Sequence, residues 1–211
     1  MSESRIYFME NPYPKGHLLK KFKWSAHLDR DKLVFNFHIE TDKYYAEDNS
    51  SDLEEPESSW KSYGVWSNFH ACTLSSTNWH EGGIVVGKEN KQIDFNALND
   101  LILTADTLPR PEDFDHEDAP FFIYLLGHDD CANHKIHIKK NAQNTFDIEW
   151  TGKIALAYVG DYDFDYDFKA LIYNVVFEGI YYNKDHFSAE EAKVLLAKYA
   201  VNFEGVSLME E

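Results

Sequence analysis

The sequence predicts an α+β fold that is mainly an antiparallel β-sheet, with a short mid-chain helix and a C-terminal helix. Three observations lead to this prediction. Aromatic residues make up 16% of the chain, apolar and polar residues alternate over many segments, and short polar turns separate those segments. Short connections favour antiparallel pairing of neighbouring strands. With 211 residues, the chain is long enough for a single globular domain, 1–211, with a substantial core.

The first regular elements are the two strands of a predicted hairpin. Apolar and polar residues alternate from Phe22 to Ala26 and again over residues 33–39, on either side of the polar turn 29–32. Two such runs around a short turn are typical of a β-hairpin. We therefore expect these segments to pair with each other, each with one face towards the core.

Two acidic loops are predicted in the first half of the chain. Residues 46–59 are acidic, rich in serine and nearly free of apolar side chains. They bury too little surface to offset the entropy of ordering, so we expect a mobile acidic loop at about 46–59. A second acidic loop is expected over residues 112–118, behind two prolines.

The segment 60–74, between these loops, is aromatic and favours strand structure. Its large side chains fit a hydrophobic core better than a sugar-binding or peptide-binding platform. The aromatic residues considered for that platform are Trp60, Tyr63, Trp66, Phe69 and Trp79.

Two helices are predicted in the second half of the chain. Apolar residues at helical spacing follow Asp94, a suitable N-cap, and predict a short helix near 95–103. Residues 121–182 contain a series of strand candidates joined mostly by short polar turns. Ser188 and Glu191 then form a capping box, which predicts a helix near 189–200.

The net charge of −17 and the two cysteines narrow the function classes. Nucleic-acid binding needs clustered Lys and Arg, so we expect no nucleic-acid partner. An anionic membrane surface is disfavoured by the acidity, and no apolar run approaches the length of a membrane span. Two cysteines in a chain of this length favour free thiols in a reducing cytoplasm. The acidity favours a basic protein partner, attracted by electrostatic steering.

The most informative segment is the octet 161–168, in which four aspartates alternate with four aromatic residues. This alternation is typical of a strand with one charged and one apolar face. We nominate its carboxylates as a binding surface for a basic partner, against the simpler interpretation of a solvated strand face. The apolar parity reverses beyond the octet, which indicates a bulge, a turn or a stretch buried on both sides. The nominated residues are Asp161, Asp163, Asp165 and Asp167.

A calcium site is an alternative interpretation of the octet. It begins like an EF-hand loop, but Tyr166 stands where that loop needs Gly, and Ile172 stands where it needs a bidentate Glu. The sequence therefore excludes an EF-hand. On a straight strand the four carboxylates span about 20 Å, which is too far for one Ca²⁺ unless the backbone curls.

A zinc site is a second metal hypothesis. His128, Cys131 and His134 carry the side chains that Zn²⁺ prefers. No second Cys/His cluster at zinc-finger spacing accompanies them, and a polar hairpin loop over this segment is the competing interpretation. If His134 begins a strand, its side chain points to the same face as those of Ile136 and Ile138.

The sequence contains no nucleophile elbow, phosphate-binding loop or dinucleotide fingerprint. We therefore expect a noncatalytic cytosolic binding protein. Its small size, acidity and lack of motifs are similar to the general profile of bacterial immunity proteins, which neutralise basic toxins, although this comparison rests on composition alone. The alternative is a metal-dependent hydrolase or a calcium-binding module that uses the Asp161–Asp167 ladder or the His128/Cys131/His134 loop.

Overall fold

The computed structural model describes residues 2–47, 58–76 and 82–211. In these ranges it contains two α-helices, α1 (Tyr63–Phe69) and α2 (Ala189–Tyr199), and fourteen strands. The strands are β1 (Arg5–Phe8), β2 (His17–Leu28), β3 (Lys32–Thr41), β4 (Thr73–Ser75), β5 (Ile84–Lys88), β6 (Ile93–Asp94), β7 (Asp100–Ala105), β8 (Phe122–Tyr124), β9 (His128–Lys140), β10 (Phe146–Ala155), β11 (Tyr166–Val175), β12 (Ile180–Tyr182), β13 (Ala200–Val201) and β14 (Leu208–Glu210).

Eight of the described strands close into a barrel. Their order around the ring is β2, β1, β11, β10, β9, β8, β4 and β3, and the β2–β3 hairpin closes it. All eight neighbouring pairs are antiparallel. The prediction of an α+β fold, mainly antiparallel, is confirmed. Closure also pairs each ring strand on both sides, so the barrel wall has few free edges.

The remaining strands extend the ring locally. β12 pairs in parallel with the end of β2, and β14 pairs in parallel with β12. β5 lies along β3, and β7 lies along the second half of β9. A separate two-stranded pair joins β6 and β13, next to α2.

Aromatic side chains fill much of the core. Trp24 stacks on Phe37 with 6.1 Å between ring centroids, Phe37 lies 5.7 Å from Trp150, and Trp150 lies 4.6 Å from Phe121. All four rings are essentially inaccessible to solvent. Rings of this size bury large apolar areas, which explains why an aromatic-rich chain of this length closes a barrel around them.

Several predicted elements are confirmed. The hairpin forms as β2 and β3, joined at residues 29–31. The C-terminal helix forms as α2, where the Ser188 hydroxyl accepts from the Glu191 amide and the Glu191 carboxylate accepts from the Ser188 amide. Residues 112–118 form the second acidic loop, with a single 3₁₀ turn at His116–Asp118.

Other predicted elements are wrong. The mid-chain helix near 95–103 is only a 3₁₀ turn, Phe95–Asn99, and residues 100–105 form β7. The segment 60–74 contains α1, and strand β4 occupies only its end. The polar loop expected at residues 128–133 is already strand, because β9 begins at His128. Most of the acidic loop predicted at 46–59, and Trp79, lie outside the described residues.

Candidate functional site

The aspartate octet begins in a loop and ends in a strand. A 3₁₀ turn at Ala157–Val159 follows β10, residues 161–165 are irregular, and β11 begins at Tyr166. The Asp161 carboxylate accepts from the Asp163 amide at 3.2 Å, and the Asp163 carbonyl accepts from the Asp165 amide at 2.9 Å. Three of the four nominated carboxylates are therefore presented by a loop, which displays them more openly than a flat strand would.

The fourth nominated carboxylate has a different environment. Asp167 lies on β11 and forms an ion pair with Lys153 at 3.0 Å. The carboxylates of Asp161, Asp163 and Asp165 form no ion pair with any described residue, and the latter two are exposed. The structure thus places three of the predicted site residues together in one loop. Asp167 differs from them because it lies on a strand and its charge is neutralised by Lys153.

The aromatic residues of the octet divide in the same way. Phe168 is buried, and Tyr166 stacks on Trp60 with 4.1 Å between centroids, so these two belong to the core. Burial, and then the charges of Asp161 and Asp165, raise the pKa of the Tyr166 hydroxyl. Tyr162 is 69% exposed, so the apolar face predicted for the octet does not extend to this residue.

Arg110 brings the two acidic loops together. Its guanidinium lies over the Phe114 ring at 4.3 Å and over the Phe164 ring at 4.9 Å. Its Nε donates to Asp106 at 2.8 Å, and one of its Nη atoms donates to Asp130 at 3.0 Å. Residues 106–118 are thereby joined to residues 161–165, although more than forty positions separate the loops in the sequence.

These two loops form what we call the acidic face. Arg110 is the only Lys or Arg in residues 106–118 and 156–168, and its charge is balanced by Asp106 and Asp130. His116, 71% exposed and 3.4 Å from Asp130, is the remaining titratable base in these loops. The surface therefore carries a strong, uncompensated negative charge. Its carboxylates are Glu112, Asp113, Asp115, Glu117, Asp118, Asp161, Asp163 and Asp165.

Apolar side chains lie exposed beside the ladder part of the acidic face. Tyr158, Val159 and Tyr162 are 59%, 63% and 69% exposed. The Tyr158 ring packs edge-on against Phe69 at 6.0 Å, so it is anchored at its base while its outer surface faces solvent. Exposed tyrosines next to charged groups are typical of protein–protein interfaces, where aromatic residues are enriched.

The three zinc candidates are not placed as a site. His128 is exposed at the start of β9, whereas Cys131 and His134 are buried. His134 shares its inward face with Ile136 and Ile138, as predicted. Its Nδ1 accepts from the Trp150 indole at 3.2 Å, and burial lowers its pKa to about 3. Burial also raises the pKa of the Cys131 thiol, which favours a protonated sulfur.

The described residues provide little support for a metal centre. No group of three His, Cys, Asp or Glu side chains within residues 2–47, 58–76 and 82–211 is placed to hold a metal ion. This applies to the ladder and to the His128/Cys131/His134 segment alike.

A polar groove of about 470 Å³, which sequence reasoning missed, lies on the outer face of the β2–β3 hairpin. The residues of its floor are the outward-facing polar positions that alternate with core residues along β2 and β3. These polar positions of the predicted hairpin were the sequence signal that could have revealed the groove. Its wall comes from Glu178, Tyr181 and Glu211, which are distant in the sequence. The floor includes Lys23, Ser25, His27, Asn36, His38 and Glu40.

A chain of hydrogen bonds crosses the groove floor. His38 contacts the Ser75 hydroxyl through Nδ1 at 2.9 Å and Glu40 through Nε2 at 2.8 Å. Lys21 donates to the same Glu40 oxygen at 3.1 Å, and these two bonds lower the pKa of Glu40, that from His38 most. The Ser–His–Glu order resembles a hydrolytic relay, but Ser75 has no accessible surface, so the relay holds the floor in place.

Comparisons of the chain with protein-family models, with curated proteins and with solved structures give no match. Among the described residues, no helix has the length and apolar character needed to cross a membrane.

Proposed function

We propose that this chain is a noncatalytic binding protein that docks a basic protein partner through the acidic face, as an immunity-type inhibitor does, in the cytoplasm. The observation that carries the proposal is the meeting of two acidic loops around Arg110, next to exposed Tyr158 and Tyr162. Charge attracts the partner, and the tyrosines supply apolar area that is buried on contact.

The carboxylates and the tyrosines of the acidic face are expected to contribute to different steps of binding. Unpaired carboxylates at Asp161, Asp163 and Asp165 accelerate encounter with Lys-rich or Arg-rich surfaces, and salt screens that effect over about 10 Å. Affinity depends more on desolvated anchors, for which the amphipathic ring of Tyr162 is well suited. A standard interface covers about 800 Å² on each partner, so the neighbouring loop 112–118 is expected to take part.

The metal-dependent hydrolase and the calcium module are less favoured alternatives. Asp167, one of the four ladder residues, is already neutralised by Lys153. The side chain of His128 is exposed to solvent, whereas those of Cys131 and His134 are buried, so the three do not share one site. Both alternatives would regain support if the purified, untagged protein contained stoichiometric Ca²⁺ or Zn²⁺.

The test begins with a photo-crosslinking amino acid at position 162. We expect it to capture a basic protein, of isoelectric point above about 9, that position 194 on α2 does not capture. Val194 is 65% exposed and serves as the matched control for accessibility. Binding of the captured protein is then measured by calorimetry for the wild type and for Asp163→Asn plus Asp165→Asn.

The double variant should weaken binding at low salt by about tenfold and should lower the salt dependence of the dissociation constant. Glu89→Gln plus Glu204→Gln removes the same charge from exposed positions outside the acidic face, and we expect it to bind nearly as the wild type does. Capture at both crosslinking positions, or binding that neither salt nor the Asp163/Asp165 pair alters, would overturn the proposal.

A further inference from the structure

The polar groove on the β2–β3 hairpin contains charged groups of both signs that do not pair with each other. Lys23 lines the floor, and no described residue forms an ion pair with it. Glu178 and Glu211 line the wall, and their side chains also form no ion pair with a described residue. The groove therefore offers an ammonium group and two carboxylates, each able to form a charge-assisted bond with a ligand that carries both charges.

The order of these groups along the groove follows from strand pairing. Lys23 faces His38 across the hairpin, and His27 lies four residues further along β2. The Glu178 amide donates to the Trp24 carbonyl at 2.9 Å, which places Glu178 beside the Lys23 end. Glu211 is close enough to His27 for its charge to raise the pKa of that ring. The distance along β2 from Lys23 to His27 is about 13 Å, roughly the length of an extended three- to four-residue peptide.

His27 adds a directed donor to the groove. The Asn36 amide nitrogen, which can only donate, lies 2.8 Å from His27 Nδ1. Asn36 is therefore the donor to Nδ1, and the proton of the neutral ring is on Nε2. Burial, the largest influence, lowers the pKa of His27, which keeps the ring neutral at pH 7. The Nε2–H bonds to no described residue and is available to a carbonyl oxygen.

We propose that this groove binds a short peptide with free termini. The peptide carboxylate pairs with Lys23, its ammonium group pairs with Glu211, and a backbone carbonyl accepts from His27 Nε2. The pairs Lys21–Glu40 and His38–Ser75 hold the floor and do not touch the ligand. This site is separate from the acidic face, and neither proposal depends on the other.

The test uses tetraglycine and two capped forms of it, N-acetyl-tetraglycine and tetraglycine amide. Binding is followed by backbone amide shifts in two-dimensional NMR spectra of the full chain. We expect tetraglycine to shift amides of residues 21–27 and 36–40 saturably. Each capped form should bind about tenfold or more weakly, the loss expected for one charge-assisted bond.

Two variants assign the ends. Lys23→Gln should abolish the preference for tetraglycine over its amide, and Glu211→Gln should abolish the preference over the N-acetyl form. Lys91→Gln, exposed and outside the groove, is the matched control and should leave both preferences intact. Each variant is shown to fold if the amide signals of its residues outside the groove are the same as in the wild type. Absence of saturable shifts with tetraglycine, or equal binding of all three peptides, would overturn the proposal.

Discussion

The imidazole of His134 makes stability depend on pH. Its ring lies inside the barrel, accepts from Trp150 and has its pKa lowered to about 3 by burial. In the unfolded chain a histidine has a pKa of about 6.5. Between those values the unfolded state binds a proton that the folded state excludes, so stability falls as the pH drops below 6.5 and levels off near pH 3.

We predict that His134→Gln reduces this loss. Glutamine can still accept from the Trp150 indole but does not titrate. The free energy of unfolding of the wild type should fall by about 2–3 kcal/mol more between pH 7 and pH 4.5 than that of the variant. Urea denaturation at the two pH values measures this difference. The exposed His186→Gln is the control, and equal pH dependence of H134Q and the wild type would contradict the prediction.

Arg110 is the second residue for which we predict a large contribution to stability. It pairs with Asp106, whose side chain is 1% exposed, and with Asp130, which is 16% exposed. Arg110→Met keeps much of the packing between Phe114 and Phe164. It leaves Asp106 unpaired and leaves Asp130 with His116, 3.4 Å away, as its remaining ion-pair partner. Removing one partner of a buried ion pair typically costs about 3–5 kcal/mol. We predict a loss of that size in the free energy of unfolding, measured by urea denaturation.

A compensating change distinguishes charge from packing. Arg110→Met combined with Asp106→Asn removes the unpaired charge of Asp106, so part of the loss should be recovered. Without recovery, the role of Arg110 would be stacking between the two rings, and the electrostatic explanation would fail. Arg110 follows a proline in a segment with no periodicity, so its sequence context gave no sign that it joins the two loops.

At the scale of elements, a bulge at Asn174 explains why apolar residues have the opposite parity from Val175 onward. Phe168, Ala170 and Ile172 face inward, and the pairing with β10 then slips so that Val175 lies opposite Phe146. Asn174 adopts φ of 56° there. The reversal predicted a bulge, a turn or burial on both sides. A bulge is present, but it lies six residues beyond the octet and leaves Leu171 and Tyr173 on the opposite face of β11 from Ile172.

We predict that Asn174→Val destabilises the fold by about 1–2 kcal/mol, because a β-branched residue tolerates the left-handed region poorly. Asn174→Gly should cost less, since glycine adopts that conformation freely and loses only the 3.1 Å bond from Asn141. Thermal and urea unfolding of both variants measure the difference. If valine were tolerated as well as glycine, strain at the bulge would not be the cause.

Local pattern was least informative where tertiary pairing chose between structures. Behind Asp94, the apolar spacing fits a helix, yet Leu101 and Leu103 pack inward while Ile102 is 54% exposed. That alternation is equally compatible with a strand, and pairing with β9 selects it. Around Trp66, aromatic content favoured strand, but the Ser62 cap and burial of the Trp60 and Trp66 rings stabilise α1.

At the scale of the whole molecule, closure of the barrel was beyond the reach of local reasoning. Short turns predict the sequential pairs β2–β3, β8–β9 and β9–β10. The ring also needs β1 to pair with β11 and β4 with β8, and long stretches of chain separate these partners. The acidic face and the wall of the polar groove also depend on contacts between residues distant in the sequence, so their residues were visible in the sequence while their assembly was not.

The net charge of −17 gives the acidic face a cost in stability. Unpaired carboxylates of like sign repel one another, most strongly at low ionic strength. We predict that Asp163→Asn plus Asp165→Asn raises the melting temperature by about 1–3 °C at about 10 mM salt, and by less at about 0.5 M salt. The Asp163 amide still donates to Asp161 in this variant, so the loop contacts are retained.

The matched pair Glu89→Gln plus Glu204→Gln removes equal charge from sites away from the acidic face and should raise the melting temperature less. A greater rise in melting temperature for the Asp163/Asp165 variant means that the carboxylates of the acidic face destabilise the folded state. Residues that oppose folding are typical of binding sites, where function and stability conflict. If the Asp163/Asp165 pair instead lowered the melting temperature, these carboxylates would support the fold, and their repulsion would no longer be an argument for a docking surface.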